Sequence, residues 1–302
     1  MTVPLATVQR AGLATVQDGG RHGYADVGVP VAGALHRERH LQAAALIRGA
    51  LDATCPALEV LQGDLVLRMH GAAVACVVGP ATWSVDGHAA PTRTAVQVSA
   101  DAVVSLVHDG PGPSYLAVSG WQPPLTLGSA STDTFSRLGG AVVGAGFVLT
   151  GDVEASLASE AGAFHRDLPS MSGPLRVVEA GSAMIRDLAD EPWRVLDVSR
   201  SGVRLSGPRL PAGGTVASAP MLPGAIQLTP SGEAIILGPD GGLTGGYPVV
   251  AVVATVDLDR ISLLAPEGEV TFRAVDVGEA VRARAERDAL LRRGLTRVHL
   301  LS

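Results

Sequence analysis

Short runs rich in Val, Leu and Ala alternate with Gly, Pro and Asp along most of this chain. That is the pattern of strands joined by tight turns. "ALEVLQGDLVLRM" (57–69) predicts a hairpin turning at Gln62-Gly63-Asp64. "WSVDGHA" (83–89) predicts another at Asp86-Gly87, a dipeptide that readily takes the left-handed backbone of a two-residue hairpin turn. "AVVSLVHDGPGPSYLAVSG" (102–120) repeats the pattern, with Pro111 and Pro113 in its loop. Turn signals recur about every ten residues, the rhythm of sandwiches and barrels.

Two segments break this rhythm. "GALHRERHLQAAALIRGA" (33–50) predicts a helix with Gly49 near its end. "GEAVRARAERDALLRRG" (278–294) predicts a second, with Arg282/Glu286 and Asp288/Arg292 four residues apart and Gly294 as a stop. Neither belongs to a repeating strand–helix–strand pattern, so a parallel sheet is not expected. The polar, turn-rich stretch 159–174 reads as a linker, after which strands restart at "LRVVEAG". The expected organisation is mainly β: a mostly-β domain over 1–170 and a second over 171–302 that ends in the C-terminal helix. An N-terminal echo, "LATVQRAG" then "LATVQDGG", is too short for a domain repeat.

Composition narrows the function. The chain has 302 residues, 47% hydrophobic and 17% charged, enough for two packed cores. With 3% aromatics, those cores must be aliphatic. A net charge of −6 gives no basic footprint for nucleic acid. Every basic residue besides His is Arg; Lys and Asn are absent, which removes a Walker lysine, a Schiff base, covalent biotin and N-glycosylation. Cys55 and Cys76 sit among apolar neighbours and read as buried thiols, which fits a reducing cytoplasm. "MTVPLATVQR" does not read as a signal peptide, and the apolar runs fall short of a membrane span.

Several motifs invite chemistry. His36 and His40 in "HRERH" lie one helical turn apart, a spacing able to chelate zinc. No His-Glu-x-x-His order or third ligand accompanies them, so a solvated helix face is the favoured reading. "GGAVVGAG" (139–146) does not complete a dinucleotide fingerprint and reads as a strand with tight turns. A Gly-x-Ser-x-Gly elbow is absent. More informative is "TVQDGGRHGYADVGVPVAGA" (15–34), where Asp18, Arg21, His22, Tyr24 and Asp26 stand among glycines. It reads equally as a loop braced by an Asp–Arg pair or as a binding loop in which Arg21 holds an anion. "GPDGGLTGGYP" (238–248) has the same look: Asp240, Thr244 and Tyr247 lie among Gly241, Gly242, Gly245 and Gly246. Such a loop is a strand connection at a barrel rim or an anion nest of backbone N–H groups.

These stretches also resemble a family. The 15–34 motif, "ALEV", "YLAVSG", "LGSAST", "SRSGVRLSGP" and the run from "PGAIQLTPSGEAIILGPDGGLTGGYP" to "EGEVTF" follow in the order of the allophanate hydrolase subunit 2, or biotin-dependent carboxyltransferase, family. The resemblance runs from Thr15 to Phe272. It implies two mostly-β domains of cyclophilin-like barrel character. Members of the family include the C-type subunit of the ATP-dependent 5-oxoprolinase, an antagonist of a sporulation-kinase inhibitor, and part of urea carboxylase.

The expectation that follows is a subunit of a 5-oxoprolinase-like complex. It would open 5-oxoproline to glutamate with ATP bound to the complex rather than evident on this chain. Its partners would be a homologous B-type subunit together with an A-type one. The rival expectations are a non-catalytic regulator of a homologous kinase-inhibitor protein and a carboxyltransferase component of a biotin system. The implied catalytic candidates are Asp18, Asp240 and Tyr247. The substrate-binding candidates are Arg21, Tyr24, Arg204, Gln227, Thr244, Gly245 and Gly246; no metal ligands are expected. Arg21 and Arg204 would hold an anion, Asp18 and Asp240 would orient it or move a proton, and Tyr247 would donate to an oxyanion. The chain departs from the family pattern at His36 (usually Asp), Trp121 (usually a Gly-Gly pair), Ala130 (usually Arg) and Ser201 (usually Met). It departs most at Gly241 and Gly242, where Arg and Gln are usual. Where those side chains bind an anionic substrate, each charge-assisted bond lost would be worth roughly 1.5–3 kcal/mol.

Overall fold

The computed structural model describes residues 2–152, 162–164, 171–180, 188–189, 191–208, 210 and 215–297. Most of the expected linker, 159–174, lies outside them. Contacts divide the chain into two units: 1–21, 32–168 and 291–302 in the first, 22–31 and 169–290 in the second. The fold is mainly β, with a nearly closed, barrel-like sheet in each unit.

The first sheet contains β1 (Val3–Gln17), β2 (Ala57–Met69), β3 (Ala73–Val78), β4 (Ala81–Val85), β5 (His88–Ala90), β6 (Val96–Val98), β7 (Val103–His108), β8 (Ser114–Val118) and β9 (Val148–Gly151). Their order is β5-β4-β7-β2-β8-β3-β6, with β1 along β2 and β9 along β1. β10 (Gly162–Phe164) belongs to the same unit. The Asp86-Gly87 hairpin forms between β4 and β5, with both turn residues left-handed (φ 48° and 79°).

The hairpin expected at Gln62-Gly63-Asp64 does not form. Instead β2 runs through all thirteen residues and bends at Gly63 (φ 76°). β1 follows the bend through register shifts between Ala11 and Ala14, and a Cβ on Gly12 would collide with the Gln62 carbonyl. The neighbour on the other edge of β2 changes at the same point, from β8 at Leu58–Val60 to β7 at Asp64–Arg68. The two glycines turn a barrel corner, a use of glycine that looks like a turn signal in sequence. The two halves of the "LATVQ" echo are thus the two arms of one bent strand. β7 and β8, expected to pair with each other, pair with β2 instead.

Helix α1 (Arg37–Arg48) is shorter than 33–50 and ends at Gly49 (φ 68°). Its Leu41, Ala43, Ala45, Leu46 and Ile47 pack with Val74, Cys76, Val78, Tyr115 and Ala117. The alternate residues of those strands, Ala73, Ala75, Val77, Leu116 and Val118, enter the barrel core. Covered on both faces, β3 is apolar throughout and β8 from Tyr115 onward, rather than alternating. The segment 139–146, expected as a strand, contributes a single bridge, Val142 opposite Thr15, with further backbone bonds to β1.

The second sheet holds β11 (Leu175–Glu179), β12 (Trp193–Ser199), β13 (Gly202–Ser206), β15 (Ala225–Leu228), β16 (Ala234–Leu237), β18 (Val249–Val253), β19 (Glu269–Val270) and β20 (Phe272–Ala274). Two further short strands, β14 (Ala219–Pro220) and β17 (Thr244–Gly245), pair with each other. The order is β19-β12-β13-β16-β15-β18-β11-β20. The two edge strands are separated in sequence only by Thr271, so one segment pairs with both β12 and β11 and closes the barrel. Its core includes Trp193, Val195, Val203, Leu205, Ile226, Ile236, Val250 and Phe272. The short helix α2 (Leu258–Ile261) follows β18, and Asp257 before it is fully buried against Arg176 and Arg260. Helix α3 (Val277–Arg293) matches the second expected helix, and β21 (Leu295–Arg297) pairs with β10.

Candidate functional site

The first glycine-rich loop is divided between the units: 15–21 and 32–34 belong to the first, and 22–31 to the second, which also holds the 238–248 loop. In the first unit, β1 runs on into Asp18, which is 3% exposed. Its carboxylate accepts from the Ser129 and Ser131 hydroxyls (both 2.6 Å) and from the N–H groups of Ala130 (2.7 Å) and Gly20 (2.8 Å). Its own N–H donates to Ser131 Oγ at 2.9 Å. "GSAST", far away in sequence, is therefore the cradle of Asp18. Arg21, 1% exposed, donates to the carbonyls of Ser131 and Thr126. Gly139 is tight for a reason of close approach: a Cβ there would collide with the Arg21 guanidinium. Asp18 and Arg21 thus converge on the 126–131 segment, and both act as interior braces.

The same unit corrects the reading of "HRERH" as a solvated face. His36 caps α1, its Nδ1 accepting from the Arg39 N–H at 3.3 Å. His40 is 1% exposed, with Nε2 bonded to the Cys55 carbonyl at 2.7 Å and its ring edge-on to Tyr115. Burial lowers its pKa below the usual 6.5, outweighing the Cys55 carbonyl, so the ring is neutral at pH 7. Tyr115 donates to Glu59 at 2.7 Å, and the Leu35 N–H donates to the same carboxylate oxygen. Among the described residues, no group of three or more His, Cys, Asp or Glu could hold a metal ion. Cys55 and Cys76 are buried free thiols, and burial raises the Cys55 pKa to about 11.

In the second unit, the loop between β16 and β18 carries the remaining candidates. Asp240 has no exposed side-chain surface. Both its oxygens are held by one guanidinium, Arg200 Nε at 2.8 Å and Nη2 at 2.7 Å. Arg204, the cation expected here, lies on the exposed face of β13 and pairs with Glu233 at 2.7 Å. Gln227 is buried, donates to Met221 Sδ at 3.4 Å and lies directly under Gly245, where a Cβ would collide with its amide. Thr244 is exposed, Gly245 and Gly246 are half-buried, and Tyr247 is 36% exposed. Tyr24 is half-buried beside a short turn of 3-10 helix, Ala25–Val27.

No residue from 238 to 248 has a left-handed backbone. The N–H groups of Gly238, Asp240 and Gly241 donate to the carbonyls of Ser201, Arg200 and Gly238. That is not the left-handed backbone of an anion nest. The glycines serve close approach: a Cβ on Gly238 would strike the Arg200 carbonyl, and one on Gly241 would stand 3.0 Å from the Gly238 carbonyl. Gly241 and Gly242 also line a small crevice with Val31, Met221, Leu237 and Leu243, whose volume of about 10 Å³ has room for one water.

Sequence reading missed Arg200, Ser129 and Ser131. All three lie within stretches that match the family, "SRSGVRLSGP" and "LGSAST", but their partners are 40 to 113 residues away.

The family described as carboxyltransferase domain, subdomain A and B, matches residues 27–274. The C-type subunit of 5-oxoprolinase from Escherichia coli (strain K12) is 29% identical over 96% of this chain and 97% of its own. That of Haemophilus influenzae is 29% identical over 92% and 93%. The crystal structure of TTHA0988 has a TM-score of 0.80 and 30% identity over 90% of this chain, which spans 55% of TTHA0988. The Kluyveromyces lactis urea carboxylase has a TM-score of 0.84 and 25% identity over 99% of this chain, which spans 30% of that enzyme.

Proposed function

Since the chain belongs to the family of carboxyltransferase domains, subdomains A and B, we propose that it is the C-type subunit of an ATP-dependent 5-oxoprolinase-like amidohydrolase. The observation that supports this most is the near end-to-end match to two C-type 5-oxoprolinase subunits, 96% of this chain on 97% of one of them. On this reading it works in the cytoplasm with A- and B-type partners and opens 5-oxoproline to glutamate. On this reading ATP is bound by the complex. With Asp240 engaged inside the protein, this reading gives the ligand contacts at the 238–248 loop to Thr244, Tyr247 and the backbone around Gly245 and Gly246. Tyr247 is the hydrogen-bond donor suited to a carbonyl oxygen that gains charge as a lactam opens. Co-expression with A- and B-type subunits tests the reading. A stable complex carrying this chain is expected; recovery of the chain free of both partners would count against it.

A second reading, the carboxyltransferase component of a biotin-dependent urea-carboxylase-like system, is supported by the likeness to urea carboxylase over 99% of this chain. It requires biotin on another protein, since this chain has no Lys. Carboxyl transfer from a biotinylated carrier protein to urea, assayed with this chain and its B-type partner, separates the two readings.

A further inference from the structure

We propose that Arg200 is the positioning residue of the 238–247 loop, and that ligand affinity at this loop depends on it; the proposal rests on reading the loop as the ligand site. Arg200 stands in the turn between β12 and β13, and its side chain is 4% exposed. It grips the loop twice. Its guanidinium holds both Asp240 oxygens in a fork, and its carbonyl accepts from the Asp240 N–H at 3.1 Å. The adjacent Ser201 carbonyl accepts from the Gly238 N–H at 2.9 Å. Gly238 and Gly241 are bare, which lets the loop backbone lie directly on residues 200 and 201.

The far half of the loop is set from the other side. Thr244 and Gly245 pair with β14, Met221 N–H donates to the Leu243 carbonyl at 2.8 Å, and the Gln227 amide underlies Gly245. Arg200 therefore fixes the end of the loop that β14 and Gln227 do not reach. A planar fork fixes direction as well as distance, whereas a lysine ammonium supplies only a point charge. Arg200→Lys should keep the fold and the ion pair but let the loop shift. Arg200→Met with Asp240→Leu removes the pair without leaving a buried charge alone, a replacement that folded proteins often tolerate.

The test compares both variants with wild type in two measurements. In the complex with its A- and B-type partners, KM for 5-oxoproline should rise about tenfold, with kcat changed less than about threefold, as displacement of a binding loop implies. In the isolated chain, hydrogen exchange should accelerate at the amides of Gly238, Asp240 and Gly241 and not across β11–β13 and β15–β18. KM within about twofold of wild type in both variants overturns the proposal, as does faster exchange spread evenly over the barrel. Should the wild-type complex fail to turn over 5-oxoproline, the functional reading falls and the exchange pattern alone decides the role of Arg200.

Discussion

Asp18 and Asp240 show how a residue's neighbours decide what it does. Both are acids in glycine-rich loops, and in sequence both look placed to act on a ligand. Asp18 instead satisfies two hydroxyls and two backbone N–H groups. Asp18→Ala should therefore destabilise the protein by about 3 kcal/mol or more, since each buried donor left without an acceptor costs about 1–3 kcal/mol. Asp18→Asn, which retains one acceptor oxygen, should lose less; urea unfolding of the two variants checks the ranking. Two other residues contribute to the response to acid. A His40 pKa lowered by burial means that the unfolded chain binds the proton more readily. Its share of stability is intact above the ordinary value of 6.5 and falls as pH drops below it. Burial pushes the Asp257 carboxyl up, but hydrogen bonds from Arg176 and Arg260 outweigh that and hold it below 3.8. Its contribution is present above that value and is lost as pH falls through the lower folded value. Melting temperatures from pH 8 to pH 3 should thus decline in two stages; His108, whose pKa burial also lowers, shares the first, so His40→Gln should shrink it without abolishing it.

Elements were legible where a local rule sufficed. The Asp86-Gly87 hairpin and both helices are where propensity and capping residues place them. They were illegible where distant strands decide. Gly63 carries the signature of a turn, yet it bends one strand because Gly12, on the strand beside it, leaves room for the corner. The buried side of α1 was hidden for a similar reason: its small Ala residues give a weak apolar stripe, and only the strands that cover it show that it faces inward. Gly12→Ala should cost about 2–3 kcal/mol, because a Cβ there meets backbone that cannot move aside. Gly87→Ala, left-handed but open to solvent, should cost about 1–2 kcal/mol. Similar losses for the two would contradict the account of the barrel corner.

At the scale of the whole molecule, the family and the barrel character were readable because motifs recur in order over nearly the full chain. The candidate site was readable only in part. The motif marked the loop at 238–248, but the cation that holds it is Arg200, forty residues earlier, and not Arg204, whose partner is Glu233 on the surface. Gly241 and Gly242 leave an apolar crevice where the family pattern has Arg and Gln, so affinity for an anionic substrate should be weak. Gly242→Gln in the assembled complex, at a position where a Cβ makes only ordinary contact with the Thr244 carbonyl, should lower KM for 5-oxoproline.

The most direct measurement is glutamate release from 5-oxoproline by the purified complex of this chain with its A- and B-type partners, with and without ATP. Release that requires ATP and all three chains is the predicted result. An intact three-chain complex that hydrolyses no 5-oxoproline in the presence of ATP would contradict it.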